Sequence, residues 1–259
     1  MKILFVGDVF ASSGRDLVRR AVRALAPSLA PDLVIANVEN AAGGYGITRQ
    51  TGDAILAAGV DVMTLGNHVW DKKEAREYLD AEPRLLRPAN YPAGVPGRGA
   101  TVVRTASGFP VGVLNLMGRV FMHPIECPFR TADALVPELR RETAVILVDM
   151  HAEATSESVA MGWYLDGRVS AVVGTHRHVQ TADERLLPGG TAYITDLGMT
   201  GPVDSVIGVD KDLVIRRFLT QMPVKFEAAK GPAALHGVLI VVDPDSGRAA
   251  GIRRLRVPA

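Results

Sequence analysis

Five apolar runs in this sequence each lead into side chains that can hold a metal ion. One of them, 62–65, leads through Gly66 into Asn67 and His68. Taken alone, this tip is also typical of a turn in which Asn67 bonds its own backbone and His68 lies at the surface. The five tips hold four of the six histidines of the chain, and their polar residues are Asp8, Glu39 with Asn40, Asn67 with His68, His151, and His176 with His178. That concentration favours a metal site over five unrelated turns.

The types of the candidate ligands and their spacing limit which metal ions the site could bind, and how. Carboxylate, carboxamide and imidazole groups together suit borderline metals such as iron, manganese or zinc. A carboxylate in such a set can bridge two ions about 3.5–4 Å apart. His176 and His178 are two residues apart, so in an extended chain their rings point the same way and serve one metal or two adjacent ones. Glu39 and Asn40 are adjacent, so both face one site only if the chain has left strand geometry there.

The first third of the chain predicts the frame that positions these groups. It repeats an apolar strand, a polar tip and a helix three times, with strands at 2–6, 33–37 and just before Gly66, and helices from Ser12 to Pro27 and from Thr48 to about Ala58. This order argues for parallel strands with right-handed crossovers. The first three tips, from Asp8 to His68, then lie along one edge of a sheet.

The rest of the chain predicts further strands and helices of the same α/β class. The expected elements are an antiparallel pair at 101–104 and 111–116, helices at 131–141, 155–165 and 210–220, strands at 144–149, 170–174 and 191–195, and a closing hairpin of 237–243 and 249–257. No internal repeat, linker or low-complexity tract interrupts them. We therefore expect a single domain over residues 1–259.

Composition excludes several classes of protein. With a net charge of +1 over 259 residues, nothing indicates a nucleic-acid footprint or a polybasic membrane patch. The single cysteine, Cys127, excludes an intrachain disulfide framework and fits a reducing compartment. The start of the chain has no cleavage-site pattern, and no window is apolar and long enough to span a bilayer. We expect a cytoplasmic protein whose partner is a small molecule.

The ordered motifs resemble those of calcineurin-like metallophosphoesterases. They are Asp8, Glu39, Gly66-Asn67-His68, His151 and Gly174-Thr175-His176-Arg177-His178, which span residues 8–178. The longer sequence segments 7–10, 37–44, 149–157 and 195–202 are similar to one branch, the bacterial YmdB-like proteins, which are 2′,3′-cyclic-nucleotide phosphodiesterases. The resemblance implies two packed mixed β-sheets flanked by helices, a four-layer α/β/β/α arrangement.

The same resemblance implies two metal ions, divalent or trivalent, with iron or manganese favoured over zinc. One ion would take Asp8, Glu39, Asn40 and His178, and the other Glu39 as a bridge with Asn67, His151 and His176. The chain departs from the broad pattern at Phe10, where the first motif usually has a histidine, and at Glu39, where the bridge is usually aspartate. The YmdB-like branch shares both departures, and there Asn40 fills the vacant position.

His68 remains as the general acid, a role implied by the resemblance and suited to imidazole. The implied reaction is attack by a metal-bridging hydroxide on a 2′,3′-cyclic nucleotide, which breaks the 2′-phosphodiester bond and gives a 3′-nucleotide. Hydrolysis of another phosphoester, and a regulatory nucleotide sensor with incidental turnover, stay open as alternatives.

Residues outside the ligand set have weaker assignments. Asn90 and Arg119 are candidates to contact substrate. Asp149 and Glu153 flank His151 and either orient it or lie at the surface. Arg177 can pair with phosphate, although alternation should point it away from its histidine neighbours. A homo-oligomer, dimer or tetramer, stays open.

Overall fold

The structure is a computed structural model that describes residues 1–259, with the side chains of all but residue 26. Six helices are present: α1 (Ala11–Leu29), α2 (Arg49–Ala57), α3 (Ala75–Ala81), α4 (Pro128–Arg140), α5 (Thr155–Tyr164) and α6 (Lys211–Thr220). Fourteen strands are present: β1 (Lys2–Val6), β2 (Asp8–Val9), β3 (Leu33–Asn37), β4 (Val62–Thr64), β5 (Leu85–Leu86), β6 (Ala100–Arg104), β7 (Pro110–Met117), β8 (Ile146–His151), β9 (Ala171–Thr175), β10 (Arg185–Leu186), β11 (Ala192–Ile194), β12 (Met199–Pro202), β13 (Ala233–Val242) and β14 (Ala249–Pro258).

The strands form two mixed sheets. The first has the order β2-β12-β13-β1-β3-β4-β5, with β14 paired to β13, and the second has the order β10-β11-β9-β8-β7-β6. In the first sheet β1, β3, β4 and β5 are parallel, as the threefold repeat predicted, whereas β13 runs antiparallel to β1. In the second sheet β7, β8, β9 and β11 are parallel and the two edge strands are antiparallel.

Apolar side chains point alternately to the two faces of the first sheet, which explains why it packs on the second sheet on one side and on a helix on the other. In β1, Ile3 and Phe5 pack against Val113 and Val173 of the second sheet, in a core between the two sheets. Leu4 and Val6 face the other way, into a core shared with helix α1. Helices α4 and α5 cover the outer face of the second sheet through a third core, which includes Val136 and Met161. The α/β/β/α layers implied by the sequence resemblance are confirmed.

Helices α1 and α4 differ from the prediction in their limits, and helix α3 was not predicted. Helix α1 begins at Ala11 rather than after Ser12, and it continues past Pro27 to Leu29. Proline lacks one donor and crowds the preceding turn, but near the last turn of a helix little helix remains to be broken. Helix α4 begins at Pro128, three residues before the predicted Thr131, because proline suits the first position of a helix.

Candidate metal centre

The carboxyl ends of strands from both sheets meet at one edge, and Asp8 lies there with its side chain fully buried. Its Oδ2 accepts a hydrogen bond from the backbone N–H of His176 (3.3 Å). Its Oδ1 has no hydrogen-bond partner among the described residues and lies 3.8 Å from His178 Nε2. A buried carboxylate oxygen without a partner is costly, and a cation beside it would remove that cost.

Glu39 is the second buried carboxylate of the site, with 1% of its surface exposed. Its Oε1 lies 3.2 Å from His151 Nε2, and its Oε2 accepts a hydrogen bond from the backbone N–H of His68 (3.0 Å). Donor atoms of Glu39, His151 and His176 all lie within 4.8 Å of one another. This central position is the one that a bridging carboxylate needs.

Two asparagine oxygens lie beside two histidine nitrogens. Asn67 Oδ1 is 3.0 Å from His151 Nε2, and Asn40 Oδ1 is 3.2 Å from His178 Nε2. Asn40 Nδ2 donates to the carbonyl oxygen of Gly44 (2.9 Å), which fixes the direction of the amide. An amide oxygen beside an imidazole nitrogen fits two ligands of one ion. The pairs fall within the two predicted ligand sets.

His176 and His178 reach the site by a different backbone route from the predicted one. Strand β9 ends at Thr175, and the following His176 and His178 have positive φ angles of 109° and 63°. The argument from an extended chain, in which their rings point the same way, is therefore wrong. Positive φ is uncommon for non-glycine residues, and such strain persists only where surrounding contacts hold it.

Arg177 and Asp196 supply such contacts. Asp196 is buried, and its Oδ2 accepts hydrogen bonds from the backbone N–H and from Nε of Arg177 (both 3.1 Å). Arg177 also donates to the hydroxyl of Thr155 (3.0 Å) and to the carbonyl oxygen of Thr195. Arg177 thus anchors the loop that carries the two histidines, and its guanidinium is engaged by the protein.

The structure brings all seven predicted ligands together, and their arrangement fits metal binding. The set comprises two carboxylates, two carboxamides and three imidazoles: Asp8, Glu39, Asn40, Asn67, His151, His176 and His178. Gly66 leaves the space that this packing needs, because a Cβ there would clash with His151 and Glu39. The unpartnered Asp8 Oδ1 gives the clearest indication that a cation belongs in the site.

Charge interactions at the site shift the pKa values of its buried groups. Burial alone would raise the pKa of Glu39, but the charge and hydrogen bond of His151 outweigh it and lower the pKa to about 2. Burial alone would lower the pKa of His151, but Glu39, Asp8 and Asp149 raise it to about 9. Burial, together with the charge of His151, lowers the pKa of His176 to about 3. Without a metal, the site therefore holds a proton on His151 at neutral pH.

A buried relay orients His151. Asp149 is fully buried, and its Oδ1 accepts a hydrogen bond from Thr175 Oγ1 (2.7 Å). Because that hydroxyl donates to Asp149, it can accept from His151 Nδ1, 2.8 Å away. In the neutral ring this leaves the lone pair of Nε2 free to bind a metal. A surface role had remained open for Asp149, and no role was predicted for Thr175, although Thr175 lies inside the 174–178 motif.

Glu153 lies at the rim of the site, which is the surface position that had remained open for it. Its Oε2 lies 2.9 Å from His176 Nε2, and its side chain is 49% exposed. It therefore contacts His176 from the solvent side, whereas Asp149 contacts the site from the interior.

His68 lies beside the ligand cluster with a carboxylate of its own. Its Nδ1 is 2.8 Å from Asp71 Oδ2, and its side chain is 33% exposed. When Nδ1–H donates to Asp71, Nε2 is the ring nitrogen left to meet a ligand, and it can give a proton only when the ring carries a proton on both nitrogens. No role was predicted for Asp71, although a carboxylate three residues after His68 is visible in the sequence of the 66–71 segment.

The two predicted substrate contacts differ in their surroundings. Asn90 is buried, its Nδ2 donates to the carbonyl oxygens of Met117 (2.7 Å) and Glu126 (2.9 Å), and its Oδ1 accepts from the N–H of Met117 (2.9 Å). These contacts give Asn90 a structural role, and substrate binding by it stays a prediction. Arg119 has an exposed side chain, and its backbone N–H donates to Glu157 (3.0 Å). Its role in substrate binding also stays a prediction.

Two cavities flank the ligand cluster. One, of about 350 Å³, lies against Asn67 and His176 and is lined also by Phe121, Met122 and His123. The other, of about 250 Å³, lies against Asn40, His68 and His178. Its remaining lining includes Phe10 and Tyr45.

The fold and the site together define a calcineurin-like metallophosphoesterase. Within that class, the family model described as YmdB-like protein matches residues 4–255. The chain therefore belongs to the YmdB-like family.

Relatives match over nearly the full length. The chain is 50% identical to a 2′,3′-cyclic-nucleotide 2′-phosphodiesterase of Bacillus subtilis (strain 168), over 99% of this chain and 97% of the relative. A hypothetical protein from Thermus thermophilus has a similar structure, with a TM-score of 0.93, 43% identity, and coverage of 100% of this chain and 99% of that one. A structure described as a novel phosphatase from Mycoplasma pneumoniae has the same TM-score of 0.93 at 34% identity, and covers 100% of this chain and 93% of its own.

None of the helices in the described part of the chain combines the length and apolar character needed to cross a bilayer.

Proposed function

We propose that the protein is a metal-dependent phosphodiesterase that hydrolyses 2′,3′-cyclic nucleotides at the 2′ bond and releases 3′-nucleotides. The observation that carries this proposal is the convergence of seven metal-competent side chains, one of which is Asp8 with its unpartnered Oδ1, with His68 beside them. The substrate class is supported by the name of the Bacillus subtilis relative. The location is cytoplasmic in this proposal, and the substrate is a small molecule.

The ligands divide into two sets that share Glu39. Asp8, Asn40 and His178 complete one set, and Asn67, His151 and His176 complete the other. When bound, two ions of iron or manganese would activate water and offset the negative charge that develops on the phosphoryl group. The protein keeps these ligands in place through the Asp149–Thr175 relay to His151 and through the Arg177–Asp196 anchor.

His68 supplies the proton that the leaving group requires. As water attacks phosphorus and the bond from phosphorus to the 2′-oxygen breaks, His68 in its imidazolium form would pass the proton on Nε2 to that oxygen and keep the proton on Nδ1. Asp71 holds the opposite ring nitrogen, Nδ1, at 2.8 Å and so fixes the ring for this transfer. The attacking water releases one proton to solvent, and His68, whose side chain is 33% exposed, takes one proton back from solvent, so the proton count closes over one turnover.

A panel of phosphoesters tests the proposal. Purified protein stripped of metal and then loaded with manganese or iron is expected to hydrolyse 2′,3′-cyclic nucleotides to 3′-nucleotides, with metal analysis showing about two ions per chain. Efficient turnover only of other phosphoesters would favour the broader phosphatase or phosphodiesterase named for a Mycoplasma relative. Tight nucleotide binding without turnover of any substrate would favour the regulatory sensor.

A further inference from the structure

The cavity of about 250 Å³ beside His68 has an apolar, aromatic character that the proposed phosphoryl chemistry does not require. It lies between the glycine-rich turn 43–45 and two segments from later in the chain, 207–209 and 226–228. Three aromatic side chains line it: Phe10, Tyr45 and Phe226. A cavity of this size is smaller than the roughly 300–1,000 Å³ pockets that enclose a whole drug-sized ligand, so it suits one aromatic ring system.

Phe10 is a buried aromatic residue of the cavity lining. It stands at the position where the broader superfamily pattern has a histidine. Its ring is 4% exposed and packs edge-on to His178, with 5.9 Å between ring centroids. A Cβ on Gly44 would lie 3.1 Å from Phe10 Cζ, and one on Gly208 would lie 2.7 Å from the ring, so both glycines leave room for it. The departure at Phe10 therefore exchanges a ligand for an apolar wall next to a metal ligand.

Tyr45 and Phe226 are the more accessible aromatic walls. Tyr45 is 49% exposed, and its ring lies 6.2 Å from the His68 ring. Lys72 Nζ lies 4.9 Å from the Tyr45 ring centroid, and the Arg217 guanidinium lies 5.2 Å from that of Phe226. A cation over an aromatic face is a modestly stabilising contact at an exposed site, so each cation favours the observed position of its ring.

The position of His68 connects this cavity to the leaving group. In a 2′,3′-cyclic nucleotide the base is attached to C1′, the carbon next to the one that carries the 2′-oxygen. If His68 gives its proton to that oxygen, the base must lie close to His68. The 250 Å³ cavity includes His68 in its lining, whereas the cavity of about 350 Å³ does not, and its Phe121 is 89% exposed.

We propose that the cavity lined by Phe10, Tyr45 and Phe226 is the nucleobase subsite, in which the base of the cyclic nucleotide stacks on the aromatic walls. This inference rests on the proposed function, because it uses His68 as the donor to the 2′-oxygen. Stacking is tolerant of base identity, since every base has an aromatic face. The subsite therefore distinguishes nucleotides from base-free cyclic phosphates more strongly than it distinguishes one base from another.

Two substrates separate this inference from the proposed function. They are 2′,3′-cyclic AMP and the base-free methyl ribofuranoside 2′,3′-cyclic phosphate, assayed with the manganese-loaded protein. The wild type is expected to prefer the nucleotide in kcat/KM, and Tyr45→Ala or Phe226→Ala should reduce kcat/KM for the nucleotide by about 5- to 100-fold, the range for loss of one base–aromatic stack. Turnover of the base-free substrate should be unchanged, and Tyr45→Phe, which keeps the ring, should retain the preference.

A matched control and a binding measurement complete the test. Phe218→Ala removes an aromatic side chain that is 71% exposed and lies outside the cavity lining. This variant should change kcat/KM for neither substrate. The fluorescence of 2-aminopurine riboside 3′-phosphate, an analogue of the product, should be quenched by the wild type and by Tyr45→Phe, and more weakly by Tyr45→Ala, which keeps only the two phenylalanine walls. If Phe226→Ala does not fold, the comparison of Tyr45→Ala with Tyr45→Phe tests the subsite.

The outcomes are distinct. Equal kcat/KM for the two substrates in the wild type, or a nucleotide preference that survives Tyr45→Ala and Phe226→Ala, would overturn the subsite while leaving the phosphodiesterase intact. No turnover of either cyclic phosphate would overturn the proposed function.

Discussion

Asn67 and His68 are adjacent in the chain, yet their side chains have different surroundings. Asn67 Oδ1 lies 3.0 Å from His151 Nε2, within the ligand cluster. His68 Nδ1 instead lies 2.8 Å from Asp71, and the backbone N–H of His68 donates to Glu39. The two residues can therefore be separated by substitution, because one holds metal in the proposed mechanism and the other delivers a proton.

Replacing His68 should reduce turnover without removing metal. His68→Ala is expected to lower kcat on a 2′,3′-cyclic nucleotide by roughly 10²–10⁴-fold, the usual contribution of a general acid. Metal analysis of the same preparation should match that of the wild type, whereas the Asn67→Ala control should lose metal. If His68→Ala is purified with less metal than the wild type, His68 is itself a ligand and the assignment is wrong.

Asp71 should act only through His68. Asp71→Asn keeps the shape of the side chain but removes the carboxylate that holds Nδ1 at 2.8 Å, and we expect a smaller fall in kcat than for His68→Ala. Because one residue acts through the other, the effects should not add. Asp71→Asn in the His68→Ala background should change kcat little. A full additional loss in the double variant would mean that Asp71 contributes independently of His68.

At the scale of elements, the turn after β4 depends on the absence of a side chain at Gly66. A methyl group there would clash with His151 and Glu39, so Gly66→Ala should displace the turn or these ligands. We expect loss of bound metal in the purified protein, measured by metal analysis. Gly251→Ala is the matched control, because a Cβ at Gly251 meets nothing within 4 Å, and it should retain metal. Full metal content in Gly66→Ala would show that the turn can shift without affecting the ligands.

Most elements near the site were predictable because their signals are local. The apolar runs 2–6 and 33–37 are strands with the predicted limits. A helix was predicted from Thr48, and helix α2 begins directly after it, with Thr48 as its N-cap in a capping box with Thr51. The short strands β2 and β12 escaped prediction, because two to four residues have no detectable period. They matter to the site, since Asp8 of β2 pairs with Met199 of β12.

The cavity walls were not predictable from local patterns. Segments 207–209 and 226–228 meet through a bridge between Val209 and Ala228, and both lie more than 150 residues after Phe10, beside which they pack. The residues predicted to contact substrate were Asn90 and Arg119, which do not line this cavity. Only the three-dimensional fold brings Tyr45 and Phe226 to one cavity.

At the scale of the whole molecule, the site is assembled from both sheets. Asp8, Glu39 and Asn67 follow strands of the first sheet, and His151, His176 and His178 belong to the ends of β8 and β9 in the second. Asp149 ties the two sheets together at this edge, because it accepts hydrogen bonds from Asn37 (3.1 Å) and Thr175 (2.7 Å). The unfolded chain has no such arrangement, so a metal that binds the folded site stabilises the fold.

The stabilisation of the fold by bound metal should depend on pH through His151. Its pKa is raised from 6.5 to about 9 in the metal-free protein, so the stability it contributes is fully present below pH 6.5 and is lost as the pH rises through about 9. Metal binding requires the neutral ring, so protons compete with metal over the same interval. The pKa of His176 is lowered to about 3, so that ring is already neutral there and adds no pH dependence.

The gain in Tm on addition of manganese should therefore increase between pH 6.5 and about 9. One proton displaced corresponds to about 1.4 kcal/mol per pH unit, or about 3–5 °C for a chain of this size. Thermal unfolding with and without manganese, under anaerobic conditions to keep the metal divalent, measures the difference. His123→Ala, which alters a histidine outside the ligand set, should keep this pH dependence, and His151→Asn should abolish it. A gain that is constant across the interval, or that falls, would mean that metal binding displaces no proton from His151.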